Sequence, residues 1–264
     1  MGRNSLISHS NNNKMMRDSN YELLRIVAMS YIVLYHLIIF FVADRGLLFR
    51  AIQLPLHVAV IDFILISGYY RISPSARGIG KLMAPLIVYY LSLSFVEYVF
   101  VNKCEGNLKF LFFFSQSPYW FIRTYFYLYL VAPILNGFLT DNRKRIYLIL
   151  VLGGISMYMS FHWNTLFEPD PSLADGKNLL LFMFVYVLGD CVRSFHKFFN
   201  RISIVFLGSS YILFNIIIVS TYLLLRGSAF GCLLWILSFP YCGPVLILNA
   251  MLLFVLFGKF HFQS

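Results

Sequence analysis

The sequence predicts an all-α fold, a polytopic transmembrane helix bundle with about eight membrane crossings. Three observations carry this. The 264 residues are 59% hydrophobic and only 12% charged, and a soluble domain of that size lacks the interior to hide so much apolar surface. The apolar residues fall in runs of about 17–25, the length that crosses a bilayer as a helix, without the two-residue alternation of barrel strands. The 28 Phe and 18 Tyr supply the aromatic rings that anchor helices at lipid–water boundaries.

Each element follows in order. Residues 1–20 are polar and rich in Ser and Asn. They lack the basic, apolar, small-residue pattern of a cleavable signal peptide and read as a disordered cytoplasmic tail. Helices are then expected at 21–43, 50–70, 81–101, 118–138, 146–163, 178–194, 202–225 and 242–258. Residues 229–241 are apolar but short and end near Pro240, which reads as a half-helix or an interfacial stretch. Residues 259–264 form a short C-terminal end. The domain proper is therefore 21–258.

Charge placement sets the orientation. With the N-terminus in the cytoplasm, thirteen Lys and Arg fall in inner segments and six in outer loops. That is the asymmetry expected of an inner, cytoplasmic-type membrane protein with an inside N-terminus. The net charge of +10 is accounted for by this topology, so no nucleic-acid partner is implied. The four cysteines form no CxxC pair and no Cys/His metal spacing. They read as small apolar fillers, and no metal site is expected.

Ionisable residues inside a bilayer are rare and mark candidate sites. They are Glu22, Arg25, His36, His57, Asp62, Glu97, Arg123, His162 and Asp190. Arg25 and His36, eleven residues apart, differ by about 20° around a helix and about 16 Å along it. They share one face, with Glu22 a turn below Arg25. One reading is a site or pathway. The other is a snorkelling Arg25 with a His36 satisfied by a neighbouring backbone group.

Two further stretches stand out. In "FILISGYYRISPSARGIGK" the Ser67-Gly68 step allows close backbone approach or a break. Arg71, Arg77 and Lys81 follow, either as an anion-binding patch or as topological charge. In "SPYWFIRTYFYLYLVAPILNGF", Tyr125, Tyr129 and Asn136 share a face, Trp120 and Tyr119 sit at the outer boundary, and Pro133 kinks the helix. That face is a hydroxyl-lined cavity wall or a packing surface.

Taken in order, these stretches resemble the acyltransferase-3 family of polytopic membrane O-acyltransferases. The likeness lies in Arg25-x10-His36 within "YELLRIVAMSYIVLYHL", then "ISGYYRI", "YWFIRTYFYLYLVAPILN", "LLLFMFVYVLGDCVRSF" and "GPVLILNAMLLFVLF". It runs from about residue 19 to 258. The resemblance implies an enzyme that moves an acyl group, usually acetyl from acetyl-CoA, to a sugar hydroxyl of a surface glycan or its precursor. It implies His36 as base or acyl carrier and Arg25 as its tuning or phosphate-holding partner. Arg71, Arg77 and Lys81 are the expected acyl-CoA contacts, and Trp120, Tyr125 and Tyr129 the expected acceptor contacts. Acyl-CoA, a carbohydrate acceptor and the bilayer are the expected partners, with no permanently bound cofactor. Family members continue through further helices and a Tyr-Leu-x-His-like stretch beyond the position of "FGKFHFQS". The expectation is a chain shortened at the C-terminus. The alternatives are an exporter of a glycolipid or anionic substrate, or an inactive truncated acyltransferase.

Overall fold

The structure, a computed structural model, describes residues 19–41, 47–101, 120–162, 176–225 and 227–260. Among them every regular element is a helix. They are α1 (Ser19–Phe41), α2 (Leu47–Tyr70), α3 (Ala76–Val101), α4 (Trp120–Phe138), α5 (Asn142–His162), α6 (Leu179–Ser194), α7 (His196–Phe199), α8 (Ile204–Leu224), α9 (Ala229–Ser238) and α10 (Pro244–Phe257). Each expected helix is present, and its ends lie within a few residues of those expected. The short stretch before Pro240 forms its own helix, α9.

Among the described residues, three helices are long and apolar enough to cross a membrane: α1, α5 over Asn142–Phe161, and α8. The sequence reading counted about eight. Helices α9 and α10 are shorter; α10, at 14 residues, rises only about 21 Å. Helix α6 has 16 residues, about 24 Å, against a hydrocarbon core of about 30 Å.

Helix α2 is the hub, packing on α1, α6, α8 and α10. Its middle is buried on nearly every side: Val58, Ala59, Ile61, Ile64, Leu65 and Ile66 are fully buried, with His57 and Asp62 the isolated polar residues among them. A helix without a polar stripe belongs at the centre of a bundle. Helix α6 has the same character, with Phe182, Val185, Tyr186 and Val187 fully buried. In contrast, α1 and α8 turn Ile26, Met29, Val33, Val205 and Ile216 outward, the pattern of lipid-facing surfaces.

The α2–α6 crossing is made by backbone. A Cβ at Gly68 would stand 2.0 Å from the Tyr186 carbonyl oxygen, and one at Gly189 would stand 2.2 Å from that of Leu65. The close approach expected at Ser67-Gly68 is therefore real, and Gly189 reciprocates it. Small residues that let helix backbones touch are the usual device where lipid removes the hydrophobic drive for helix association.

Helix ends are closed locally. The Asn178 side chain accepts the Leu181 N–H at 3.2 Å, and Ser228 accepts that of Gly231 at 3.0 Å. Both are standard caps for an otherwise unpaired N–H. Elsewhere α8 and α10 are joined by a reciprocal amide pair, Asn215 with Asn249, at 2.9 and 3.0 Å.

Candidate functional site

One end of the bundle gathers the start of α1, the end of α2, the end of α4, the start of α5 and the end of α6. Tyr21 stacks on Phe254 there and meets Tyr69 at a tilt, which brings the end of α10 to the same level. Most of the polar chemistry lies at this end.

Its centre is Asp190, fully buried, with three guanidinium groups on one carboxylate. Arg71 Nε donates to Oδ1 at 2.8 Å, Arg193 Nη2 to the same Oδ1 at 2.8 Å, and Arg145 Nε to Oδ2 at 3.0 Å. The Leu139 carbonyl accepts from Arg71 Nη2 at 3.1 Å and from Arg145 Nη2 at 2.6 Å. Arg145 also bonds the Asn142 side chain and is itself buried. Burying Asp190 and Arg145 is tolerable because they pair with each other and the Arg145 donors are used. Arg71 closes α2 with φ at 54°, a left-handed conformation normally left to glycine. Its backbone N–H bonds the Gly68 carbonyl at 3.2 Å. Such a residue costs about 1–3 kcal/mol and persists only where its surroundings fix it. The Asp190 and Leu139 contacts fix it here.

Beside this cluster runs a closed ring of polar groups. The Ile72 N–H donates to the Tyr186 hydroxyl at 2.9 Å, and that hydroxyl donates to Asn136 Oδ1 at 2.7 Å. Asn136 Nδ2 returns to the Ile72 carbonyl at 2.9 Å. One side chain from α4 and one from α6 thus satisfy both backbone groups of a residue beyond the end of α2.

The expected site residues separate into groups. Tyr125 meets Ser67 hydroxyl to hydroxyl at 3.0 Å, and Arg25 lies within electrostatic reach of Tyr125. Three stretches that the sequence singled out therefore converge. Arg25 is half-buried and ion-paired with Glu22. The Tyr129 hydroxyl accepts the Ser75 N–H at 3.1 Å and sits over Gly78. Hence Tyr125, Tyr129 and Asn136 do share a face, turned toward the end of α2 and the start of α3. Arg77 and Lys81 are exposed and are not joined to Arg71, whose guanidinium turns to Asp190.

His36 stands apart. It is exposed on α1, and its Nδ1 lies 2.8 Å from the Ile32 carbonyl of its own helix. That is the backbone satisfaction considered as the second reading of the sequence. A carbonyl can only accept, so Nδ1 carries a proton, and Nε2 has no hydrogen-bond partner among the described residues. Trp120 is at the far end, near Tyr241 (ring centroids 5.3 Å), with Lys177 over both rings. His57 joins that group, stacked on Tyr241 at 5.1 Å and edge-on to Tyr35 at 4.7 Å. Tyr119 and the Glu97 and His162 side chains lie outside the described residues.

Sequence reasoning missed the pairing of Asp190 with Arg71, Arg145 and Arg193. The available signal was Asp190 itself, a carboxylate inside an apolar helix, and the excess of arginine at helix ends. Asp62 was noted, and it is the most exceptional buried group. It is fully buried in α2, and neither carboxyl oxygen has a hydrogen-bond partner. The phenols of Tyr31 on α1 and Tyr211 on α8 are its electrostatic neighbours.

The architecture is that of an all-helical protein with several helices apolar enough to span a membrane. No protein-family model matches the chain, and searches of curated proteins and of solved structures find no match either.

Proposed function

We propose that this chain is a membrane O-acyltransferase, taking an acyl group, acetyl as the first choice, from cytoplasmic acyl-CoA to a hydroxyl of a cell-surface carbohydrate. The observation that carries the reading is the hydroxyl contact of Ser67 with Tyr125, with Arg25 within electrostatic range of Tyr125, drawn from three separate family-like stretches. His36 lies further along the same face of α1 with Nε2 available. In this reading the arginine-rich end faces the cytoplasm, and all eight longer helices cross the bilayer.

The chemistry is simple to balance. His36 Nε2 takes the proton of the acceptor hydroxyl as its oxygen attacks the thioester carbonyl. The carbon–sulfur bond breaks, and the imidazolium returns the proton to the CoA thiolate. The products are a sugar ester and CoA. Arg25 steadies anionic groups of the donor. Arg77 and Lys81, exposed near the start of α3, attract its phosphates together with Arg71. Tyr125 and Tyr129 offer hydroxyls, and Trp120 an aromatic face, to the acceptor.

A second reading is an exporter of an anionic glycolipid. Asp62 favours it, because an unpartnered carboxyl within a helix bundle is typical of transport pathways. One experiment addresses both: base-labile acetate on surface glycans in cells carrying the wild-type chain, its His36→Ala variant or no chain. Acetate that depends on His36 supports acyl transfer. CoA-independent movement of a glycolipid without new ester supports the exporter.

A further inference from the structure

We propose that Arg71 and Arg193, held on Asp190, form a seat for a phosphate group at the end of the bundle. The case begins with charge. Three guanidiniums surround one carboxylate, and no other acid pairs with them among the described residues, so the cluster carries two uncompensated positive charges. Arg145 is structural, because its Nε and both terminal nitrogens are bonded within the protein.

The other two arginines are different. Each is 26% exposed. Arg71 spends Nε on Asp190 and Nη2 on Leu139, leaving Nη1. Arg193 spends Nη2 on Asp190, leaving Nε and Nη1. Both bond the same oxygen, Asp190 Oδ1, so the two groups are held side by side. Charged donors fixed in a pair, partly open and in excess of their counter-charge, suit a tetrahedral oxyanion better than a lone carboxylate. The chain that follows Arg193 adds further positive charge and no acidic residue over residues 194–201, with Lys197 and Arg201 both exposed.

The shared chemistry is a phosphate ester, from a soluble molecule or from a lipid headgroup. The seat exists whether or not the chain moves an acyl group. The test uses the full chain. In the soluble arm, pyrophosphate is titrated onto protein in detergent, with chloride matched for ionic strength, and thermal unfolding is followed. In the lipid arm, nanodiscs of phosphatidylcholine with and without phosphatidic acid are compared. The expected result is a raised unfolding midpoint in at least one arm. Arg193→Gln, which leaves the other two Asp190 bridges intact, is expected to weaken the response on the order of tenfold or more. A response to pyrophosphate assigns a soluble ester, and one confined to phosphatidic acid assigns a lipid. No response in either arm, or an unchanged response in Arg193→Gln, overturns the seat. Should Arg193→Gln fail to fold, Arg193→Lys keeps the charge without the fork and is expected to respond several-fold more weakly than wild type.

Discussion

Arg71 Nε and Asp190 Oδ1 meet at 2.8 Å although 119 residues of chain separate them. The contact joins the end of α2 to the end of α6 at the place where their backbones touch through Gly68 and Gly189. A steric key and an electrostatic lock thus lie about one helical turn apart on the same helix pair.

Removing the carboxylate tests the lock. Asp190→Ala leaves three guanidiniums without their shared partner and is expected to cost about 3–5 kcal/mol. Thermal unfolding in detergent measures it. An unchanged midpoint would mean that water or detergent already compensates the arginines.

The key is tested by one methyl group. Gly189→Ala and Gly68→Ala each push a Cβ into a facing backbone carbonyl, which cannot swing aside as a side chain can. Each is expected to destabilise by about 1–3 kcal/mol. Gly154→Ala is the control, since nothing lies within 4 Å of its Cβ position. In a helix that change is expected to be neutral or to stabilise by about 0.5–1 kcal/mol.

Asp62 predicts the opposite of Asp190. Both are fully buried, but Asp62 has no hydrogen bond to lose. Asp62→Asn and Asp62→Leu are expected to keep or raise the unfolding midpoint, because a buried polar group without a partner costs free energy. A fall of more than about 1 kcal/mol in both variants would reveal a partner for the carboxyl.

Acyl transfer makes its own demand on His36. The ring is exposed and bonded only to its own helix, so His36→Ala should leave abundance and folding unchanged. Turnover of acyl-CoA should fall by about 10²–10⁴-fold. Near-full turnover at equal membrane abundance removes His36 from the chemistry.

The helices were legible because an apolar run announces itself within one window of sequence. The shared face of Tyr125, Tyr129 and Asn136 was legible for the same local reason, and the three side chains reach successive points along the end of α2 and the residues after it. The ionic cluster was not legible. Arg71, Arg145 and Arg193 each satisfied a rule that counts positive charge near helix ends, and that rule is indifferent to partners. Which carboxylate they shared depends on how α2, α5 and α6 pack, information held in no single stretch. His36 shows the reverse limit. Helix geometry put it on the face of Arg25 but could not tell whether that face was covered.

The order of synthesis adds meaning to Asp190. A ribosome releases Arg71 first and Arg145 next, so two guanidiniums reach their helix ends before their counter-ion has been made. The strained turn at Arg71 waits as well. Only when α6 enters beside α2 does one carboxylate, arriving with Arg193, bridge those groups and fix three helix ends together. Insertion of α6 thus ties α2, α5 and α6 together at this end, and an unfinished chain differs from a finished one by two arginines that lack their shared carboxylate.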